Sequence, residues 1–557
     1  MTALPSEAPT MAVAPSPSGG PAAGVAMAPL KGGLVGGRRL GGLIGIMAVF
    51  ALWEVLALSL PNARFVLPTP LGVAEQMWRD RQIYAQNVPT TLWEASLGWI
   101  WGNLVAIALA VATAIFPVVE RPLMKLALVT YCMPIIAIGP LLQIMLSGRS
   151  PEISIAAISV FFTTLVGCMA GLRSVDRTSL DLVHAYGGGT WAKFIKLRAK
   201  SAMPSAFAGL RIAGPAAILG AIIGEYLGAE QGLGVAMVNS MQSLDVASTW
   251  GLAIVAAAIA GAAYGITALI GNLLTPWREP VTYARAERVR TSIDRGRGAG
   301  AMVLVAKTLG YVALSVALVA GLWYGLFAAL HLNPYFAKTP SDIVRYLFVG
   351  PGAAANRTSL QSGLAITMRD AALGYGLGTV CAIVAAAGVV LQRGVERAVM
   401  PVAISLRSVP LIAMTPLIAL EFGRGLLSVA IVAGLVTFFP SLVNFVFGLK
   451  SAPDQWVDLL HACGAGQPAV LRKIRLPYAL PSFFAAARIA APGAVLGAVL
   501  AEWLVSGNGL GYMMLVSSQN SDYNFLWSGV LLITTISILI YNLVSFVESR
   551  LLTRYWS

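Results

Sequence analysis

The side chains best suited to metal or nucleophilic chemistry are three histidines and four cysteines, and their spacing supports neither. His184 and His461 stand in separate polar loops, His331 is remote from both, and no ligand cluster accompanies them. Cys132, Cys168 and Cys381 lie in apolar runs and Cys463 in a polar loop, without disulfide or zinc spacing, so they read as small buried side chains. The sequence lacks any Gly-Lys dipeptide and therefore any phosphate-cradling G-x-x-x-x-G-K-[ST] loop. These residues predict no catalytic site and no metal or nucleotide bound by this chain. Glu225 and Glu502 are another matter. An acid near a membrane segment is a functional candidate, but these two also stand close enough to Gly232–Gly234 and Gly509–Gly511 to cap those turns. Arg149 and Arg424 follow apolar runs and suit either anion attraction or snorkelling.

The elements that must position these groups are membrane helices. Of 557 residues, 57% are hydrophobic and 11% charged, against about 25% charged in soluble domains. Apolar runs reach the length of roughly 20 residues that a bilayer core requires. Free backbone groups find no partner in lipid, so these runs must be helical. Twelve spans are expected: near 40–60, 89–116, 124–147, 153–173, 204–227 and 248–275, then near 302–331, 363–391, 397–422, 425–449, 481–505 and 525–549. The net charge of +14 sits mainly in loops expected in the cytoplasm, which removes the need for a nucleic-acid partner. Residues 1–38, rich in Pro, Ala and Gly, read as a disordered cytoplasmic tail. Residues 277–301, with six arginines from Arg278 to Arg297, read as a cytoplasmic linker between repeats at 39–276 and 302–557. Both termini then lie inside.

The segment from Asp181 aligns with that from Asp458 at an offset of 277, with 27 of 54 positions identical and no gap. Upstream, TLWEASLGWIWG from Thr91 echoes TMRDAALGYGLG from Thr367. Six spans per repeat give both copies the same orientation, a parallel duplication about an axis along the membrane normal. Pro134, Pro140, Pro410 and Pro416 are expected to interrupt the third and ninth spans, and Pro215 and Pro492 the fifth and eleventh. Broken helices are tolerated where they face protein or a cavity, so these four are expected to line a path between the halves.

The duplicated core opens in a polar loop after each fourth span. Asp181 and His184, like Asp458 and His461, are three residues apart and share a helix face; each Asp is read as lying in a first helical turn, where the macrodipole favours it. Ala185 and Ala462 follow. Gly187 and Gly464 then end the helix. A second short basic helix leads to Pro204 and Pro481, expected to open the next spans. Such a loop suits docking into a partner's groove; the alternative is a helix resting on lipid headgroups.

These loops resemble the EAA motif of ABC importer permeases: E-A-A, three residues, G, nine residues, I, any residue, L-P. Gly464, Ile474, Leu476 and Pro477 fit that spacing, with Asp458 at the Glu position. In the first half Gly187 and Leu197 fit, but Ala199 and Lys200 replace Leu-Pro, and neither half has the two alanines. RSVPLIAMTPLIALEFGRG from Arg407, GEYLGAEQGLG from Gly224 and AEWLVSGNGLG from Ala501 are similar to the subgroup serving taurine, nitrate, aliphatic sulfonates and pyrimidine precursors. The resemblance implies an all-α type I importer permease in a bacterial inner membrane. It implies two cytoplasmic ATPase subunits holding ATP and Mg, and a periplasmic or lipid-anchored solute-binding protein. A twelve-helix secondary transporter is the rival, but it needs ionisable groups at span centres, which read here as nearly free of them.

Overall fold

The computed structural model describes residues 67–116, 119–276, 331–392 and 411–555, with most of 47–59 and 317–329. The proposed tail, the linker and Pro410 lie outside the described residues. So do the spans near 40–60, 302–331 and 397–422, wholly or in part.

The first half comprises α1 (Pro70–Arg79), α2 (Arg81–Ile115), α3 (Glu120–Cys132), α4 (Ile135–Met145), α5 (Ser150–Leu172), α6 (Arg177–Ala185), α7 (Thr190–Tyr226), α8 (Leu233–Gln242) and α9 (Val246–Leu274). The second comprises α10 (Pro340–Val344), α11 (Ala353–Leu391), α12 (Leu411–Phe422), α13 (Leu426–Lys450), α14 (Asp454–Ala462), α15 (Gln467–Leu504), α16 (Leu510–Gln519) and α17 (Tyr523–Tyr555). Eight helices among the described residues are long and apolar enough to cross a bilayer: α2, α5, α7 and α9, then α11, α13, α15 and α17. They match eight of the expected spans.

The third span is interrupted at Pro134 as expected: α3 and α4 meet at a 94° bend, with Pro134 as the N-cap of α4. Two expectations are corrected. Pro140, Pro215, Pro416 and Pro492 interrupt nothing; each lies inside a continuous helix. One missing N–H is a local defect, and packing along the rest of the helix keeps it in register. Pro204 and Pro481 likewise lie within α7 and α15 rather than opening them, since those helices begin in the loops.

The helices approach through small residues. On α2, Gly98, Gly102, Ala106, Ala110 and Ala114 recur every fourth position and are all buried. On α11, Gly374, Gly378, Ala382 and Ala386 do the same. Four-residue spacing places them on one face, where the missing side chains let backbones touch. Gly98 and Gly102 meet the Ile153–Val160 stretch of α5, and Gly374 and Gly378 meet Ala430–Thr437 of α13. Numbering rises together in both pairs, so α2 runs parallel to α5, and α11 to α13. The bent α3–α4 pair must therefore carry the chain back across. In contrast, α7 runs antiparallel to α5: Gly171 meets Ala202, while Gly220 and Gly224 meet Ala156 and Glu152.

One end of the bundle carries the basic loops (the loop end); the other carries the Gly-Leu-Gly turns (the turn end). Ile222, Leu233 and Met237 share one buried cluster with Val499, Leu510 and Met514. Both halves therefore point the same way, as the parallel duplication requires.

Each turn is clasped by a buried acid. The Glu225 Oε2 accepts the N–H of Gly234 at 2.7 Å, Thr91 accepts that of Leu233 at 2.9 Å, and Asn87 accepts that of Gly232 at 2.8 Å. In the second half Glu502 accepts the Gly511 N–H at 2.8 Å and the Thr367 hydroxyl at 2.7 Å, and Thr367 accepts the Leu510 N–H at 2.9 Å. These N–H groups belong to the first turns of α8 and α16 and would otherwise be orphaned in an apolar setting. A carboxylate there also meets the positive end of the helix dipole. Gly232 (φ 130°) and Gly509 (φ 97°) adopt backbone that L side chains disfavour, and a Cβ on either would strike the carboxyl. Glu225 and Glu502 thus cap their turns.

Two predictions follow from this packing. Gly102→Leu and Gly378→Leu should each destabilise the folded protein by at least about 1–3 kcal/mol through overpacking. Gly376→Leu, whose side faces open space, should stay within about 0.5 kcal/mol; thermal unfolding in detergent compares the three. Equal effects at Gly376 and Gly378 would refute the close approach. By the same assay Glu502→Ala should cost about 1–3 kcal/mol by orphaning buried donors, and Glu502→Gln, which keeps an acceptor, clearly less.

Candidate functional site

The duplicated loops differ in sequence and share one backbone plan. Asp176 caps α6, accepting the Ser179 N–H at 2.9 Å. Hydrogen bonds from Ser179 hold the Asp176 carboxyl below its ordinary pKa. In the second loop Pro453 precedes α14, and Asp454 supplies the acid of the first turn. Asp181 and Asp458 therefore lie mid-helix, not in the first turn as the sequence reading had them.

Both helices end in the same turn. Gly187 (φ 77°) and Gly464 (φ 78°) take left-handed backbone. The Gly187 N–H donates to the His184 carbonyl and the Gly188 N–H to the Val183 carbonyl, each at 2.9 Å. Gly464 and Ala465 repeat these bonds to His461 and Leu460 at 2.9 Å. This pairing closes the orphan carbonyls of a helix C-terminus, and it requires a residue that tolerates positive φ. Gly189 and Gly466 then start α7 and α15 in extended conformation. Each long helix carries a widened π-turn, at Phe194–Arg198 and at Leu471–Arg475. Ala199-Lys200 and Leu476-Pro477 both continue the helix, so losing Leu-Pro does not alter the first loop's backbone.

The sequence-predicted residues fall as follows. Asp181, His184 and Ala185 on α6, and Asp458, His461 and Ala462 on α14, are exposed. The His461 Nδ1 sits 3.0 Å from the Ala465 carbonyl, beside the turn. Leu197 and Ile474 lie in the π-turns; Ile474 packs on a small core of Ala452, Val457 and Val470 that fixes the second loop to itself. Large apolar side chains nevertheless face outward: Leu182 (58% exposed), Tyr186 (85%) and Trp191 (60%) in the first loop, Trp456 (52%) and Leu459 (53%) in the second. Exposed apolar patches of this kind mark contact sites for protein or membrane.

The prolines expected to line a path differ in burial. Pro134 and Pro492 are buried, and Pro140, Pro215 and Pro416 are partly so. The bent pair does sit between the halves: the Tyr131 hydroxyl of α3 donates to the Ile489 carbonyl of α15 at 3.1 Å.

Sequence reading overlooked four buried acids, Glu94, Glu152, Asp370 and Glu548. Glu94 faces the Arg149 guanidinium at 3.8 Å, and the arginine side chain is itself half exposed. Gln143 donates to Glu152 at 2.8 Å, and Arg369 pairs with Asp370 at 2.9 Å. The signal was present: Glu94 and Asp370 hold the same place in the two echoing segments quoted above. Of the cysteines, Cys132 and Cys168 are buried, but Cys381 and Cys463 are exposed, contrary to the expectation of small buried side chains.

Comparison with known proteins matches this geometry to a family twice over. The family described as "Binding-protein-dependent transport system inner membrane component" matches residues 102–280 and again 378–554. A probable ABC transporter permease protein of Haemophilus influenzae is 29% identical over 224 residues, which is 39% of this chain and 90% of the relative. The formylaminopyrimidine transport permease protein of Halalkalibacterium halodurans is 32% identical over 220 residues, 40% of this chain and 86% of the relative. The taurine transport system permease protein of Escherichia coli is 25% identical over 228 residues, 41% and 82% respectively. Each relative thus corresponds to about one half of the chain. With two matched segments built on one backbone plan, the chain belongs to the binding-protein-dependent transport inner-membrane family and is an ABC transporter permease carrying two copies of its domain.

Proposed function

We propose that this chain is by itself the complete pair of membrane halves of an importer, and that its two loops each seat one ATPase subunit. The observation that carries the reading is the duplication of the loop backbone at one end of the bundle, glycine turn and π-turn included, at an offset of 277 residues. The basic residues Lys193, Lys196, Arg198, Arg472, Lys473 and Arg475 flank both loops, which assigns the loop end to the cytoplasm by the positive-inside rule. ATP and Mg then belong to the partner subunits. A solute-binding protein delivers the cargo at the turn end, and closure of the ATPase pair pulls on both loops. The similarity to permeases named for taurine and formylaminopyrimidine transport supports a small solute of the taurine, sulfonate, nitrate or pyrimidine-precursor type.

Native mass measurement of the complex purified with its ATPase should give two ATPase subunits for one copy of this chain. Two copies of the chain per complex would refute the reading. Coupling is tested at the turns. A Cβ on Gly187 or Gly464 meets nothing within 4 Å, so substitution there acts through φ alone. Gly187→Val and Gly464→Val should each lower ATP-dependent uptake in reconstituted vesicles by roughly tenfold or more, since left-handed backbone costs a side chain about 1–2 kcal/mol. Membrane abundance should be unchanged. Normal uptake by both variants at normal abundance would remove the loops from the coupling mechanism.

A further inference from the structure

The π-turn of the first loop ends in Arg198, whose Nη1 donates to the carbonyl of Ala114 at 2.9 Å. Ala114 lies in the last turn of α2, 84 residues away in sequence. Carbonyls in a final helical turn have no partner within the helix, and the C-terminal end of the dipole favours a cation. The Ala112 carbonyl is already taken by the Phe116 N–H; Arg198 meets the need at Ala114. The guanidinium therefore fastens the loop to the end of a neighbouring membrane helix.

The second half has the same parts in a different arrangement. Arg475 corresponds to Arg198 at the offset of 277 and closes the equivalent π-turn. Its seat would be the last turn of α11. There Val389, Val390 and Leu391, with Lys450, Asp454, Gln467 and Arg475 itself, line a cavity of about 350 Å³. The Arg475 Nε is buried and has no hydrogen-bond partner among the described residues. One arginine is engaged; its duplicate stands beside an open seat.

We propose that Arg198 is a positioning residue, a latch that joins the first loop to α2, and that Arg475 is its duplicate in the unlatched arrangement. The value of the joint lies in what α2 reaches. From Ala114 to Thr91 the helix rises about 35 Å at ~1.5 Å per residue, and Thr91 and Asn87 hold the Leu233 and Gly232 N–H groups at the turn end. A single helix thus links the loop to the opposite turn. The loop already reaches that turn through α7, whose Glu225 holds the Gly234 N–H; the latch adds α2 as a second link, so that movement of the loop pulls on both sides of the turn. The role in coupling rests on the docking function proposed above; the latch itself does not.

Hydrogen–deuterium exchange of the full chain in lipid nanodiscs, without any partner, tests the latch. Arg198→Gln should speed exchange at residues 190–198 and 113–116 by about tenfold, the order set by losing a charge-assisted hydrogen bond. Arg198→Lys, which keeps a cationic donor, should recover part of the protection. Arg475→Gln should leave residues 388–391 and 467–475 within about twofold of the parent, since it breaks no bond. No change in Arg198→Gln, or equal acceleration in Arg475→Gln, would overturn the assignment. With ATPase subunits added, Arg198→Gln should bind as many as the parent and still hydrolyse ATP, while solute moved per ATP falls severalfold. An unchanged ratio would reduce Arg198 to a structural contact and refute the positioning role. If the parent chain binds no ATPase, the docking proposal fails while the exchange result still decides the latch.

Discussion

Backbone contact between α2 and α5, and between α11 and α13, is the constraint from which the remaining structure follows. Lipid supplies no hydrophobic drive for helices to associate, so close packing must come from shape. Glycine and alanine at every fourth position provide it, at Gly98 and Gly102 and again at Gly374 and Gly378. Once α2 lies against α5 in parallel, the chain between them has to recross, which places α3 and α4 between the halves. The same approach brings Thr91 and Asn87 alongside the Gly-Leu-Gly turn, and brings the far end of α2 alongside Arg198. The turn clasp and the loop latch are thus two ends of one packed helix.

The duplication is faithful at the acid and threonine that clasp each turn and at the loop glycines, and looser elsewhere. Glu225 and Glu502, Thr91 and Thr367, Gly187 and Gly464 perform matching tasks. Around them the halves diverge. Asn87 caps the first turn, while its counterpart Gly363 packs against Leu510 and Met513. Arg211 is bonded to Asn272 at 2.8 Å, whereas its duplicate Arg488 faces Glu548 at 3.5 Å. Glu152 and Gln143 form a buried pair in the first half alone. A single chain permits this, because the two halves no longer share one gene-encoded sequence and each side chain is free to answer its own surroundings.

Much of this was legible in the sequence. The apolar runs located eight helices, the ungapped repeat predicted the parallel halves, and Glu225 and Glu502 were placed near enough to their turns to suggest capping. The failures have physical causes. Prolines were read as breaks; Pro134 stands at one, but Pro140, Pro215, Pro416 and Pro492 are single lost bonds inside continuous helices. The loop helices were expected to stop before Pro204 and Pro481, because polarity was taken as the boundary, yet helix geometry continues through the π-turns into the loop. Glu94 and Asp370 were overlooked although their places coincide, since each looked like a lone acid at a span's edge. The Arg198–Ala114 bond was beyond reach: its partners are 84 residues apart, and one of them is a backbone carbonyl with no sequence signature.

On the docking function proposed here, one further consequence concerns the loops' surfaces. If both seats are taken by identical ATPase subunits, the grip common to them must come from what the loops share: Asp181 with Asp458, Leu182 with Leu459, His184 with His461, and the glycine turn that orients them. Their differences lie beside that grip, where Tyr186 and Trp191 correspond to Cys463 and Pro468. Tyr186 and Trp191 are broad, exposed aromatic faces, and side chains of that type carry much of the energy at protein interfaces. Cys463 and Pro468 bury far less. Equal subunits would then meet different aromatic surfaces, Tyr186 and Trp191 on the first loop and Trp456 on the second. On that reading the closed latch, Tyr186 and Trp191 fall on the same half, while α7 and α15 each run from their own loop to the turn end.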